Sequence, residues 1–206
     1  MLTRRTFLGA VPIAAYASSR EPRVVVPVRR ITDAHARCSQ DEWSRFLRKI
    51  WPEAVRDLNA GGVQLQVADA SGEIKRTAAD RPIFVGLQRG VVNLILTDHL
   101  PLYWDASRAL PGVTTIYEGY HICLIALKYA HANQVPFFSV NTCTHELLHA
   151  LMQDVFVTRP AWYQSAGREA RIDSLATGLW LFGSGDSIRK SAREYLARLT
   201  RADRAG

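Results

Sequence analysis

The chain has 206 residues, 48% of them apolar and 22% charged, which suits one compact domain with a single core and excludes disordered and fibrous classes. Its formal charge of +7 is dispersed, with no arginine stripe interleaved with aromatics, so the excess does not read as nucleic-acid binding. Three cysteines, Cys38, Cys123 and Cys143, permit at most one intramolecular disulfide. Cys123 with Cys143 is the pair worth testing in an oxidising compartment, while buried free thiols are the expected state.

The N-terminus carries Arg4 and Arg5 followed by Phe7 and Leu8, then a weakly apolar run closed by Ala15, Tyr16 and Ala17 in a small-x-small pattern. This resembles a twin-arginine export signal, and the resemblance implies the twin-arginine machinery as a partner and a periplasmic or secreted location. The run is too short for a stable transmembrane span and contains Pro12. Removal of residues 1–17 would lower the charge from +7 to +5, leaving 24 basic against 19 acidic side chains. The expected organisation is therefore a signal over 1–17, an extended linker over 18–38 and a folded domain over 39–206.

Within 18–30, Pro22, Pro27 and several arginines suggest the linker, or a lone strand through Val24, Val25 and Val26. Ser39 or Asp41 can cap a helix whose buried stripe is Trp43, Phe46, Leu47 and Ile50. Pro52 kinks or restarts that helix, and Gly61 and Gly62 end it. Val63, Leu65 and Val67 alternate as a half-buried strand, followed by a turn over 69–72. Residues 83–87 and 91–97 read as strands joined through Gln88, Arg89 and Gly90, the second apolar enough for the middle of a sheet. Residues 99–112 form a loop with Tyr103 and Trp104 as aromatic anchors, and the mostly apolar 116–130 is strand or helix. A last helix over 187–199 uses Ile188, Tyr195, Leu196 and Leu199.

The most informative stretch is 142–157, which contains His145-Glu146-Leu147-Leu148-His149. Histidines four positions apart on a helix share a face, about 6 Å apart along the axis, and both can reach one metal ion. The Glu146 carboxylate leaves the same turn, where it can hold a water and take its proton. Apolar residues fill around half the helix circumference, so the helix should be buried, and histidines inside it need partners for their ring nitrogens. Downstream, Glu169 and Asp173 share one face of a helix predicted over 165–180. A third ligand from that helix would complete a set of two His and one Glu, with Asp173 accepting the outer N–H of a ligand imidazole. Asp154, five residues after His149, is turned about 140° away and does not compete.

His145 to His149 with Glu169 and Asp173 resembles the gluzincin metallopeptidases, the thermolysin-like enzymes in particular. The resemblance implies one zinc ion on His145, His149 and Glu169, Glu146 as general base, and Asp173 orienting His145. It implies an α+β zincin-like fold: a small mixed sheet whose edge strand packs on a buried active-site helix, plus a second ligand-bearing helix. On that reading 116–130 is the strand, and it would pair with an extended peptide. The chain departs from the family in having no His after His149 to stabilise the developing oxyanion. Tyr163, Arg168, Arg171 and the upstream His121 and His131 are the candidate donors. The implied function is zinc-dependent hydrolysis of a peptide or protein by a metal-activated water. The alternatives are a zinc-binding envelope protein without turnover and a hydrolase of a non-peptide amide.

Overall fold

The computed structural model describes residues 23–77, 82–100, 110–134, 139–152, 166–182 and 186–204, so residues 1–17, expected to be an export signal, and Tyr103, Trp104 and Tyr163 lie outside the described residues. The architecture is mixed α+β. Six strands form one sheet in the order β3-β2-β1-β4-β6-β5: β1 (Val24–Asp33), β2 (Val63–Arg76), β3 (Pro82–Val85), β4 (Val92–Thr97), β5 (Gly112–Tyr117) and β6 (Tyr120–Ala126). The inner strands run parallel, β2 with β1, β1 with β4 and β4 with β6, while the edge strands β3 and β5 are antiparallel to their neighbours. Among the described residues, no helix is long and apolar enough to cross a membrane.

Three segments differ from the sequence expectations. The stretch expected to be a linker over 18–38, or a lone strand through Val24, Val25 and Val26, contains β1, which is a strand from Val24 to Asp33 but paired on both sides and central to the sheet. Its Val24, Val26 and Val28 are buried at alternate positions, a half-buried strand pattern that Pro27 and the arginines mask. The turn expected over 69–72 is instead the middle of β2, where Asp69 pairs with Arg30 across the ladder at 2.6 Å. The single strand expected over 116–130 is a hairpin. Glu118 and Gly119 both take positive φ, 48° and 81°, as a tight two-residue turn between paired strands requires.

The sheet is curled. At Gly72, β2 leaves the β1 ladder and takes up β3 from Glu73 onward. A Cβ on Gly72 would stand 2.5 Å from the Val85 carbonyl and 2.6 Å from the Ile31 side chain, so only glycine permits the bend. The buried Asp33 carboxylate fastens it, with Oδ1 accepting from the Ile74 amide at 3.2 Å and Oδ2 from the Thr97 hydroxyl at 3.2 Å. Phe84 of β3 consequently meets Tyr117 of β5 edge-on, ring centres 5.1 Å apart, although the two strands are opposite ends of the sheet order. A small core of Ile31, Phe84, Ile95, Ile122 and Leu124 fills the concave face.

The larger core lies on the other face, under the helices. Ser39 caps α1 (Gln40–Arg45) in a reciprocal box with Glu42. The chain continues through one π-helical stretch (Phe46–Ile50) into α2 (Trp51–Ala60). Pro52 has no N–H to give to the preceding turn, and the Trp51 amide reaches back five residues to Phe46 instead. Phe46, Ile50, Ala54 and Leu58 then form one fully buried row, each large member contributing about 1.5–3 kcal/mol. Leu47, expected in that stripe, lies off the row and is 49% exposed. After the sheet come α3 (Thr142–Leu151), α4 (Ala166–Phe182) and α5 (Asp186–Arg204).

A buried polar network seats α3. The Asn141 side-chain oxygen caps the helix through the Cys143 and Thr144 amides at 2.9 and 3.2 Å, and its NH2 donates to the Ile50 carbonyl at 2.7 Å. The Asn141 amide donates to the Asn133 side chain, which in turn donates to the buried Asp57 carboxylate at 2.9 Å. Asn141→Ala removes the cap from the buried Cys143 and Thr144 amides and the side-chain donor to the Ile50 carbonyl. It is expected to lower the unfolding free energy by about 2–4 kcal/mol, read as a drop in urea midpoint at unchanged slope.

Candidate functional site

Every residue of α3 except His145 is buried. Apolar members face the core, which leaves His145, Glu146 and His149 to be satisfied by what packs on the helix. His145 turns toward α4, where its Nδ1 lies 2.9 Å from Oδ1 of Asp173. A carboxylate only accepts, so Nδ1 carries the proton and Nε2 is the nitrogen turned to the other ring. That Nε2 stands 2.9 Å from Nε2 of His149, with ring centres 4.6 Å apart at 70°. The two imidazoles thus meet Nε2 to Nε2 at hydrogen-bond distance, with the far nitrogen of His145 held by Asp173 of α4.

Glu169 occupies α4 one turn before Asp173, on the same helix face, and its side chain lies outside the described residues, as do those of Arg168 and Arg171. Among the described residues no group of three or more His, Cys, Asp or Glu side chains could hold a metal ion.

Glu146 is 5% exposed and lies against the edge strand. Its Oε2 is 2.7 Å from the Thr114 hydroxyl, and a Cβ placed on Gly112 would come within 2.7–2.9 Å of its Cγ, Cδ and Oε1. Thr114 also lies 2.9 Å from the Glu146 carbonyl and 3.4 Å from Cys123 Sγ. The expected edge strand beside the helix is therefore present, but it is β5 rather than 116–130. Gly112 and Thr114 are the residues that approach Glu146.

Of the candidate donors, His121 sits on β6 with its ring edge-on to Tyr195 of α5, centres 5.1 Å apart. His131 braces the start of α3: its amide donates to the Thr142 hydroxyl at 3.1 Å, and its carbonyl accepts from the Thr142 amide at 3.0 Å.

Compared with known proteins, the chain matches no family model, no curated protein and no solved structure. Its site rests on its own geometry.

Sequence reasoning did not find Thr114, Gly112, Asn141, Asn133 or Asp57. None belongs to a spaced motif. Only the fold brings residues 112–114 beside Glu146, and a threonine and a glycine on a strand carry no chemical signature of their own.

All three cysteines are free thiols. Burial pushes the thiols of Cys123 and Cys143 strongly upward, so both are inert neutral packing groups. Cys38, next to the C-terminal ends of β1 and β4, is raised to about 11 by burial and then by the carboxylates of Asp98, Glu42 and Asp33. The thiolate is the reactive form, and at pH 8 it is about a hundredfold scarcer than on an unperturbed cysteine. Alkylation of the native protein at pH 8 should therefore be slow at Cys38 and rise about tenfold per pH unit up to pH 11. Peptide mapping of the modified sites checks it.

Proposed function

We propose that the chain is a zinc-dependent peptidase of zincin-like fold, similar in its site to the gluzincins, and that residues 1–17 direct its export by the twin-arginine route. The observation that carries the reading is the pair of Nε2 atoms 2.9 Å apart with the far nitrogen of His145 tied to Asp173. Zinc–nitrogen bonds of about 2.0–2.1 Å at a tetrahedral angle place two ligand nitrogens about 3.3 Å apart, so the pair needs to open by only a few tenths of an ångström to hold one ion. Two imidazoles, one of them backed by a carboxylate, are donors of the kind zinc takes, and Glu169 stands on α4 one helical turn from that carboxylate.

His145, His149 and Glu169 would hold the zinc ion, which when bound would supply Lewis acidity for polarising a carbonyl and lowering the pKa of water. The remaining work belongs to the chain. Glu146, on the same helix and nearly dry, takes the proton of the attacking water on its carboxylate and returns it to the leaving amine nitrogen. The strand β5 ends the sheet, and its outer backbone edge offers an extended peptide a ladder to join. Tyr163 and Arg171 are the proposed oxyanion donors, since His121 packs on Tyr195.

A second reading keeps the metal and drops the turnover, giving a zinc-binding envelope protein. It is favoured by the absence of any histidine after His149. The variant Glu146→Gln separates the two. In a peptidase it retains one equivalent of zinc and loses about 10²–10⁴ of the cleavage rate on a peptide library. Asp173→Ala should weaken zinc binding about 10–100-fold, and His149→Ala should abolish it, both measured by competition with a chelating dye. Zinc binding at one equivalent with no cleavage by the parent protein would select the binder. Failure of the parent to bind zinc would remove both readings.

A further inference from the structure

We infer that Thr114 is a positioning residue for Glu146, and that β5 clamps the carboxylate between the Thr114 hydroxyl and the bare backbone of Gly112. The inference rests on the peptidase reading and adds to it the group that fixes the base.

Three acceptors lie within reach of one hydroxyl proton: Glu146 Oε2 at 2.7 Å, the Glu146 carbonyl at 2.9 Å and Cys123 Sγ at 3.4 Å. The carboxyl oxygen is the nearest of them, and the Cys123 thiol is held neutral by burial and is a weak acceptor, so Glu146 Oε2 takes the strongest share. The Cys123 thiol, fully buried and held neutral, has its own acceptor in the Glu146 carbonyl at 3.5 Å. The arrangement is a built one, for a carboxyl group at 5% exposure has exchanged water for a fixed donor on a strand. Gly112 completes it. Any side chain there would enter the space of Glu146, because an added Cβ stands 2.7 Å from its Cγ and 2.8 Å from Oε1.

The consequence is geometric. A glutamate has three side-chain torsions, and a base that must meet a water and then an amine nitrogen loses rate steeply when displaced by about 1 Å. The Thr114 hydroxyl removes the terminal rotation, and the missing side chain at Gly112 gives the carboxylate the room to lie flat against the strand. Both come from one short segment of β5, so the strand proposed to align the substrate would also align the base.

The test uses the zinc-loaded full chain. Thr114→Val keeps the shape and removes the donor; Thr114→Ser keeps the donor; Gly112→Ala leaves Thr114 in place and fills the carboxylate's space. We expect Thr114→Val and Gly112→Ala to lower kcat about 10–100-fold, with KM within about twofold and zinc content unchanged, and Thr114→Ser to return kcat to within about threefold of the parent. A Thr114→Val enzyme with parental kcat overturns the inference, as does a Thr114→Ser enzyme no better than Thr114→Val. Should Thr114→Val fail to fold, Thr114→Ser and Gly112→Ala decide alone: the inference stands if the first is active and the second is not, and falls otherwise. If the parent protein binds zinc and cleaves nothing, the peptidase reading has failed by itself. Crystal structures of the metal-free variants then judge the clamp. A Glu146 carboxylate that leaves β5 in Thr114→Val supports it, and one that stays in its parental position overturns it.

Discussion

Burying α3 sets the terms for the rest of the molecule. A helix with His145, Glu146, His149 and two threonines among its ten residues cannot enter a core unless each polar group finds a partner there, since a stranded buried group costs about 1–3 kcal/mol or more. Four separate parts of the chain supply those partners. Asn133 and Asn141 from the segment before the helix, and Asp57 of α2, hold the N-terminal turn. The edge strand takes Glu146, and α4 takes His145. The helix and its surroundings therefore specify one another, and a shift of α3 by a fraction of a turn would break contacts on three sides at once.

The same requirement links fold to chemistry. Imidazoles that face each other across 2.9 Å with one far nitrogen tied to a carboxylate are organised before any ligand arrives. Preorganisation of that kind is what a metal site or a proton-transfer site needs, because orientation is then settled during folding rather than during binding. The helix pair α3 and α4 contributes direction and the strand β5 contributes the floor. The sheet behind them is fixed by its own buried carboxylate, Asp33, at the bend of β2.

Where the chain follows a simple periodic rule, its structure was readable beforehand. The apolar rows around His145 and His149 announced a buried helix, the spacing from Glu169 to Asp173 placed both on one helix, and Val92–Thr97 declared an interior strand by its mostly apolar character. Reading failed where two tendencies overlapped. Pro27 and the flanking arginines disguised β1, because strand propensity counts prolines and charges against a segment that tertiary pairing accepts. Glu118 concealed a hairpin turn, since glutamate rarely adopts the positive φ it has here. The site divides in the same way. The approach of His145 to His149 and to Asp173 was legible from spacing, whereas Thr114 and Gly112 come beside Glu146 only through a strand alignment that no local pattern encodes.

The central place of β1 bears on how far the N-terminus can be shortened. Its first rung pairs Val24 with Val63, and the Val24 amide donates to the Gly62 carbonyl at 2.9 Å. The next rungs bring in β4 from Val28 onward. A truncation that keeps the sheet whole must therefore fall before Val24. Each residue trimmed beyond that point would unzip the sheet from its middle, where no neighbouring strand can move across to fill the gap.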